Sequence, residues 1–351
     1  MRRQLYGVGV MVLLVVLNAH AADSWRQVSK ESQPLLPGNM IQLVKQGRDK
    51  GVVWVGTMDG LARIENGVIS RPEQVAEIKP VWDVTETVDG DFWVGHANGA
   101  VLVSGDKAVA TLKGRSVALI LPVGARLWAI AKDVSSDVNT IMQADGQTWS
   151  PLKQFEGARV ENMSLGASGS VLVRLEADGV IEVAIDSEGM TGVKHHLAGV
   201  KVESVMADSK GRTWCGLADG GVMVLQKGQW TRHLATESSP VMAIAEDKKG
   251  GIWAATASHG IWMFDGENWD GSLADDGSSL LRATSDGRVW ISRRSTSGLQ
   301  YWDGNEWKVS LADSGPISSL VELSDGVLVA GSVLRGVYIL GDYRIKGEIE
   351  Q

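Results

Sequence analysis

The sequence predicts an all-β fold, a β-propeller of four-stranded antiparallel blades. One pattern recurs about every 39 residues: an apolar strand, a turn with glycine, a strand with a large anchor residue, a second glycine and a third strand. Units of four strands at this spacing are typical of propeller blades. The composition agrees, because the chain holds 42 Gly, only 8 Pro, and 14 Trp against 4 Tyr and 3 Phe.

The number of blades follows from two series of residues that run in the same phase. The second strand of each copy carries a large apolar anchor, and the last turn of each copy carries a glycine. The anchors are Trp54, Trp93, Trp128, Leu172, Trp214, Trp253, Trp290 and Val329. The glycines are Gly67, Gly105, Gly146, Gly189, Gly228, Gly266, Gly304 and Gly341. Eight members in each series predict eight blades, with seven as the alternative because the third and fourth copies diverge most.

The clearest copy assigns the four strands of a blade in order. Residues 241–246 form an apolar inner strand, and a turn with Gly250 leads to the strand that bears Trp253. The third strand opens at Gly260, and an outer strand with Trp269 follows. One such sheet cannot bury both of its faces, so the blades must pack on one another and the ring must close.

The segment 24–28 resembles an outer strand, although it precedes the first complete blade. Its Trp25 stands in a context similar to those of Trp230 and Trp307 on the outer strands of later copies. We therefore predict that this segment pairs with the last blade and joins the two ends of the ring.

The first 21 residues have the pattern of a secretory signal peptide. Arg2 and Arg3 precede an apolar run at 8–17, and Ala19-His20-Ala21 provides the small residues of a cleavage site. The apolar run is too short to span a bilayer. We expect residues 22–351 to form a single propeller domain that is exported to the periplasm or secreted, with no membrane insertion after signal removal.

The charge and the cysteine count narrow the possible partners. The net charge is −8, and removal of Arg2 and Arg3 with the signal leaves −10. Nucleic acids and anionic lipids require basic surfaces, so neither is expected as a partner. Cys215 is the only cysteine, which excludes an internal disulfide. We expect a monomer without a cofactor.

Several copies resemble a known repeat. The run at 51–63, GVVWVGTMDGLAR, resembles the two-component regulator propeller repeat, and the copies at 89–102, 210–225 and 246–264 are similar to it. In that family such propellers commonly form the periplasmic sensing part of membrane histidine kinases. The resemblance implies a ligand-binding sensor. Because no kinase segment follows the last repeat, it would signal through a separate membrane-bound protein.

The candidate ligand-binding residues lie at the predicted mouth of the central channel, where propellers usually bind small ligands. They are Trp82, His96, Asn98, Asp219, His259, Arg294 and Arg335. Asn98 and Asp219 directly precede the glycine that opens a third strand, which also suits a turn residue. The histidines and arginines break the repeat pattern. Trp82 occupies an inner-strand position where other copies have Glu203, Met242 or Ser279.

No catalytic residue, metal site or cofactor is assigned from the sequence. His195 and His196 are adjacent on a strand and point to opposite faces. Residues 275–277 lack the spacing of a calcium loop. Nucleophile, zinc-protease and phosphate-binding motifs are absent.

These observations favour a binding or sensor module that recognises a small molecule, a glycan or a protein partner at one face of the ring. One alternative is a propeller enzyme, a lyase or hydrolase, in which His259 or His96 acts with a carboxylate such as Glu176 or Glu237. A propeller lyase that inactivates streptogramins is the model for this alternative. A second alternative is a scaffold that binds other proteins through its outer rim.

Overall fold

The computed structural model describes residues 24–186, 190–234, 236, 238–271, 277–293, 298–343 and 345–346. The predicted signal peptide lies outside the described residues. The described residues form 32 β-strands and two short 3-10 turns, Glu73–Val75 and Ala167–Gly169. No helix among them has the length and apolar character needed to cross a membrane. The all-β prediction is confirmed.

The first four blades follow one another along the chain, each from its innermost to its outermost strand. Blade one contains β2 (Ile41–Gln46), β3 (Val52–Thr57), β4 (Gly60–Glu65) and β5 (Val68–Ser70). Blade two contains β6 (Val81–Glu86), β7 (Phe92–His96), β8 (Gly99–Ser104) and β9 (Lys107–Thr111). Blade three contains β10 (Arg115–Val123), β11 (Arg126–Asp133), β12 (Asn139–Asp145) and β13 (Thr148–Phe155). Blade four contains β14 (Val160–Leu165), β15 (Val171–Leu175), β16 (Val180–Ile185) and β17 (Met190–His196).

The last four blades repeat this arrangement, and the final blade takes its outer strand from the other end of the chain. Blade five contains β18 (Val202–Ala207), β19 (Thr213–Leu217), β20 (Val222–Gln226) and β21 (Gln229–Leu234). Blade six contains β22 (Val241–Glu246), β23 (Ile252–Thr256), β24 (Ile261–Phe264) and β25 (Trp269–Asp270). Blade seven contains β26 (Ser278–Ala283), β27 (Val289–Arg293), β28 (Gly298–Trp302) and β29 (Trp307–Ala312). Blade eight contains β30 (Ile317–Glu322), β31 (Leu328–Ser332), β32 (Gly336–Leu340) and β1 (Trp25–Val28).

The described strands therefore make eight four-stranded units, as the two marker series predict. Six of the sheets have four strands, and the units of blades two and three are joined into one larger sheet by a single parallel bridge between Gly99 and Ser116. The ring is closed, because β2 of blade one contacts both β30 and β31 of blade eight.

The predicted pairing of the N-terminal segment with the last blade is confirmed. β1 runs antiparallel to β32, with Trp25 opposite Leu340 and Val28 opposite Val337. The C-terminal residues continue past blade eight onto blade one, where Tyr343 and Ile345 belong to the same apolar cluster as Val53. The strand β1 and the residues Tyr343 and Ile345 thus both help to hold the ring closed.

The predicted anchors form the packing between blades. All eight are buried, and the most exposed of them, Trp253, keeps only 3% of its surface. Trp214 of blade five, for example, packs against Ile252 and Phe264 of blade six. Burying one such side chain stabilises the fold by about 2 to 3 kcal/mol.

Each inner strand has a β-bulge directly after its first buried residue. The pairing register shifts across that position in all eight blades. The bulged residues are Gln42, Trp82, Ala118, Glu161, Glu203, Met242, Ser279 and Ser318. Bulges often re-aim side chains at the rims of β structures. The ring therefore places one irregular position per blade near the same end of its central channel.

Candidate functional site

The ring has two different faces. The connection face holds the second-to-third strand turns, such as 97–98, and the links between blades, such as 112–114. The turn face holds the first-to-second strand turns, such as 87–91, and the third-to-fourth strand turns, such as 105–106. Because the strands within a blade are antiparallel, these loops must alternate between the two faces.

Trp82 and His96 lie together on the connection face of blade two. Val81 is paired with His96 across β6 and β7, and Trp82 is the bulged residue that follows Val81. Both Trp82 and His96 are half-buried. The structure therefore brings these two predicted residues to adjacent strand positions, which their separation in sequence did not show.

The His96 imidazole is held by the turn that follows it. Its Nδ1 accepts a hydrogen bond of 3.3 Å from the Asn98 N–H. Burial lowers the pKa of His96, because the charged imidazolium loses more hydration than the neutral ring. At neutral pH this side chain is therefore an uncharged ring with its Nδ1 engaged as an acceptor.

Asn98 and Asp219 make contacts expected of turn residues. Asn98 Oδ1 accepts a hydrogen bond from the Gly114 N–H at 3.0 Å, and Asp178, at the same position in blade four, does the same for Gly199 at 2.7 Å. Asp219 is 69% exposed and lies 3.8 Å from Arg232 Nη2. These contacts tie the second-to-third strand turns to later parts of the chain, and a ligand-binding role for Asn98 and Asp219 stays a prediction.

Two further predicted residues, His259 and Arg335, belong to blades six and eight. His259 and Arg335 are exposed, and their backbone N–H groups donate to Thr256 Oγ1 at 2.8 Å and to Ser332 Oγ at 3.1 Å. Arg294 lies outside the described residues. The six predicted residues that the structure describes are thus spread over blades two, five, six and eight, and only Trp82, His96 and Asn98 share a blade.

The enzyme alternative requires a histidine and a carboxylate from different blades. His259 belongs to blade six, whereas Glu176 belongs to blade four and lies 3.9 Å from Arg159 Nη1. Glu237 lies outside the described residues. Within the part of the chain that the structure describes, no group of three or more His, Cys, Asp and Glu side chains could hold a metal ion.

An ion pair between the half-buried Lys45 and the buried Asp83 lies in the channel wall, and the sequence did not single it out. Lys45 of blade one donates to Asp83 Oδ1 at 3.0 Å and to Thr85 Oγ1 at 2.8 Å. Asp83 Oδ2 also accepts the Ile120 N–H of blade three at 2.7 Å. Burial raises the pKa of Asp83, and the nearby Lys45 ammonium opposes that rise. This cluster connects three inner strands and fixes the first three blades relative to one another.

The turn face has a repeated clamp that the sequence reading also missed. The last residue of an inner strand is Glu in blades two, six and eight, and its carboxylate reaches the turn of the preceding blade. Glu246 accepts the Ser209 N–H at 2.7 Å and the Ser209 hydroxyl at 2.6 Å. Glu322 accepts the Ser285 N–H at 2.8 Å. The sequence contains a pattern that could have predicted this clamp, since a Glu recurs at this position of several copies.

Clefts open on the turn face between adjacent blades. The cleft between blades one and two has a volume of about 650 Å³ and is lined by Arg48, Arg63, Trp54 and Phe92, among others. Another, of about 370 Å³, lies between blades two and three. None of the predicted site residues that the structure describes lines either cleft, because these residues lie on the connection face.

Comparisons with known proteins agree with the fold. No family model matches the sequence, and no curated protein matches it. The extracellular domain of a hybrid two component system from B. thetaiotaomicron aligns with a TM-score of 0.57 and 13% identity, over 91% of this chain and 40% of that one. The chain thus spans about two fifths of that domain.

Two further solved structures are similar to this chain. Virginiamycin B lyase from Staphylococcus aureus aligns with a TM-score of 0.55 and 11% identity, over 74% of this chain and 94% of that one. YCF48 bound to D1 peptide aligns with a TM-score of 0.51 and 13% identity, over 77% of this chain and 94% of that one. At such low identity these likenesses show a shared fold and leave the ligand open.

Proposed function

We propose that this protein is an exported β-propeller that serves as a binding or sensor module and recognises its ligand on the connection face. The adjacent placement of Trp82 and His96 is the observation that carries the proposal. A half-buried indole and a neutral imidazole offer an apolar surface next to a hydrogen-bonding group, which suits a small molecule, a glycan or a side chain of a protein partner.

The closed ring supports this function physically. The anchors and both chain ends fix the blades, so the loops on the connection face are held in constant relative positions. A preorganised surface loses less entropy on binding than a flexible one. The resemblance of the repeat to sensor propellers supports a role in signal transduction through a separate membrane-bound protein.

The experiment compares ligand binding by variants in which each of the two residues is replaced by the residue at the same repeat position of another blade. A thermal-shift screen of sugars and small organic acids identifies the ligand, and Trp82→Met and His96→Thr replace the two residues by those at the same positions of blade six, Met242 and Thr256. Both variants should fold and lose most of the ligand-induced shift. Met242→Ala serves as the matched control and should keep it. A shift of the same size in all three variants would contradict the proposal.

A further inference from the structure

The junction between blades one and two departs from the repeat at the start of its turn. In blades five, six and seven, the anchor indole donates to the first residue of its own turn: Trp214 to Asp208 at 2.7 Å, Trp253 to Asp247 at 2.7 Å and Trp290 to Thr284 at 3.2 Å. Blade one has Gly47 at this position. The indole of Trp54 instead donates across the junction to Glu86 Oε1 of blade two, at 2.7 Å.

Two arginines stand at this junction, whereas blades five and seven have Ser209 and Ser285 at the position of Arg48, and Val224 and Tyr301 at the position of Arg63; blade six has Lys248 at the first position. Arg48 occupies the position of Ser209 and Ser285, and its backbone N–H donates to Glu86, as in the repeated clamp. Its guanidinium donates to the carbonyl oxygens of Thr87 and Val88. The Arg63 guanidinium lies 5.7 Å from the centre of the Trp54 ring and 2.5 Å from Glu65 Oε2. Both guanidiniums are therefore held in place.

An equivalent cleft at another junction provides an internal comparison. The cleft between blades seven and eight is lined by the corresponding residues Ser285, Glu322 and Leu328, and its volume is about 270 Å³. The cleft between blades one and two is about 650 Å³. Phe92 stands there in place of Leu328, so the larger cleft also has an aromatic wall. The cleft between blades one and two is thus larger than the one between blades seven and eight and is lined by more charged residues.

The lining contains both signs of charge next to an apolar surface. Arg48 and Arg63 supply guanidinium donors, and the exposed Asp49 and Asp89 supply carboxylates on the same cleft. Phe92, with Pro72 and Val103, provides apolar surface. A guanidinium pairs well with a carboxylate, and a carboxylate pairs well with an ammonium group. A ligand with one group of each sign and an apolar part between them matches this lining.

We propose that the cleft between blades one and two binds a short peptide through its two charged termini and its apolar side chains. The arginines take the peptide carboxylate, the aspartates take its ammonium group, and Phe92 contacts its side chains. The site is on the turn face, so it is separate from the ligand surface around Trp82 and His96. The proposal of a peptide site therefore does not depend on ligand binding at that surface.

Isothermal titration with the dipeptide leucyl-leucine tests the proposal. The protein should bind leucyl-leucine. The acetylated and amidated dipeptide lacks both charges, so its affinity should be lower by a factor of about ten or more. Arg48→Ser introduces the residue found at the equivalent position of blades five and seven and keeps the backbone bond to Glu86, so the variant should fold and should bind about tenfold more weakly. Arg63→Leu should have the same effect.

Arg288→Leu is the matched control. Arg288 lies over the anchor Trp290 in blade seven, 5.9 Å from the ring centre, as Arg63 lies over Trp54. Its loss should leave dipeptide binding unchanged. Absence of binding to leucyl-leucine at millimolar concentration, equal binding of the capped dipeptide, or an equal loss in Arg288→Leu would each overturn the proposal. Trp82→Met should bind leucyl-leucine normally, which separates this site from the connection face.

Discussion

The indole ring of Trp25 lies edge-on against that of Trp290, with 5.9 Å between ring centres and 86° between ring planes. The same contact occurs at three other junctions, where an outer-strand Trp meets the anchor of the preceding blade: Trp149 with Trp93, Trp269 with Trp214, and Trp307 with Trp253. Trp25 comes from the start of the chain, yet it fills the place of an outer-strand Trp in blade eight. The junction between blades seven and eight is therefore built like these three, although the outer strand of blade eight comes from near the start of the chain.

Trp25→Ala should lower the free energy of unfolding by about 3 kcal/mol, because it removes an aromatic contact and leaves a cavity at the junction between blades seven and eight. Chemical denaturation monitored by circular dichroism measures this change. Trp149→Ala is the matched comparison at an internal junction and should cost a similar amount. An unchanged midpoint in Trp25→Ala would contradict a stabilising role for the contact between Trp25 and Trp290.

The C-terminal residues form a second closure, and Tyr343→Phe tests it. The Tyr343 hydroxyl donates to the Gly51 carbonyl oxygen of blade one at 2.5 Å, and the side chain is buried. Removing the hydroxyl should cost about 1 kcal/mol, whereas Tyr343→Ala should cost about 3 kcal/mol because the packing is lost as well. Thermal melts of the two variants give the comparison. Equal and negligible effects would mean that this segment does not hold the ring.

Glu246→Ala should destabilise the junction between blades five and six by about 1 kcal/mol, since the Ser209 N–H and hydroxyl lose their acceptor. Solvent reaches these groups, which keeps the effect small. Glu267→Ala, in an exposed turn of blade six, is the control and should change the melting temperature very little. A loss no greater than in the control would contradict a clamping role.

The pKa of His96 predicts part of the pH dependence of stability. Burial lowers this pKa, so the unfolded chain takes up the proton at a higher pH than the folded protein does. The stabilising effect of the neutral ring is complete above about pH 6.5 and is lost as the pH falls below it. The melting temperature of His96→Thr should therefore fall less than that of the wild type between about pH 7.5 and about pH 5.

A direct readout of the His96 prediction is the NMR titration of its imidazole. His233 contributes in the same direction, because burial and the nearby Arg212 lower its pKa too, so some pH dependence should persist in His96→Thr. Identical pH profiles of the variant and the wild type would refute the role of His96.

The candidate site was predictable only in part. Trp82 and His96 were recognisable because each breaks a repeat position, and the fold places them on adjacent strands. Asn98 fits the repeated turn position, and its contact with Gly114 depends on a link between blades that no local pattern reports. The cleft beside Trp54 is formed by residues of two blades. Gly47 offers no side-chain acceptor to the Trp54 indole, and only the structure shows that this indole donates to Glu86 of the next blade instead.

The sequence by itself determined the blade pattern, the eight anchors and the joining of Trp25 to the last blade, because each depends on spacing along the chain and on the need of every sheet to cover its apolar faces. Only the tertiary structure decided which blades exchange polar contacts and where clefts open. Glu86, Glu246 and Glu322 occupy the same position in the repeat, yet what each one binds is set by the side chains of the preceding blade. Closing the ring brings those partners together, since residues about 37 positions apart in the chain become neighbours only when adjacent blades pack.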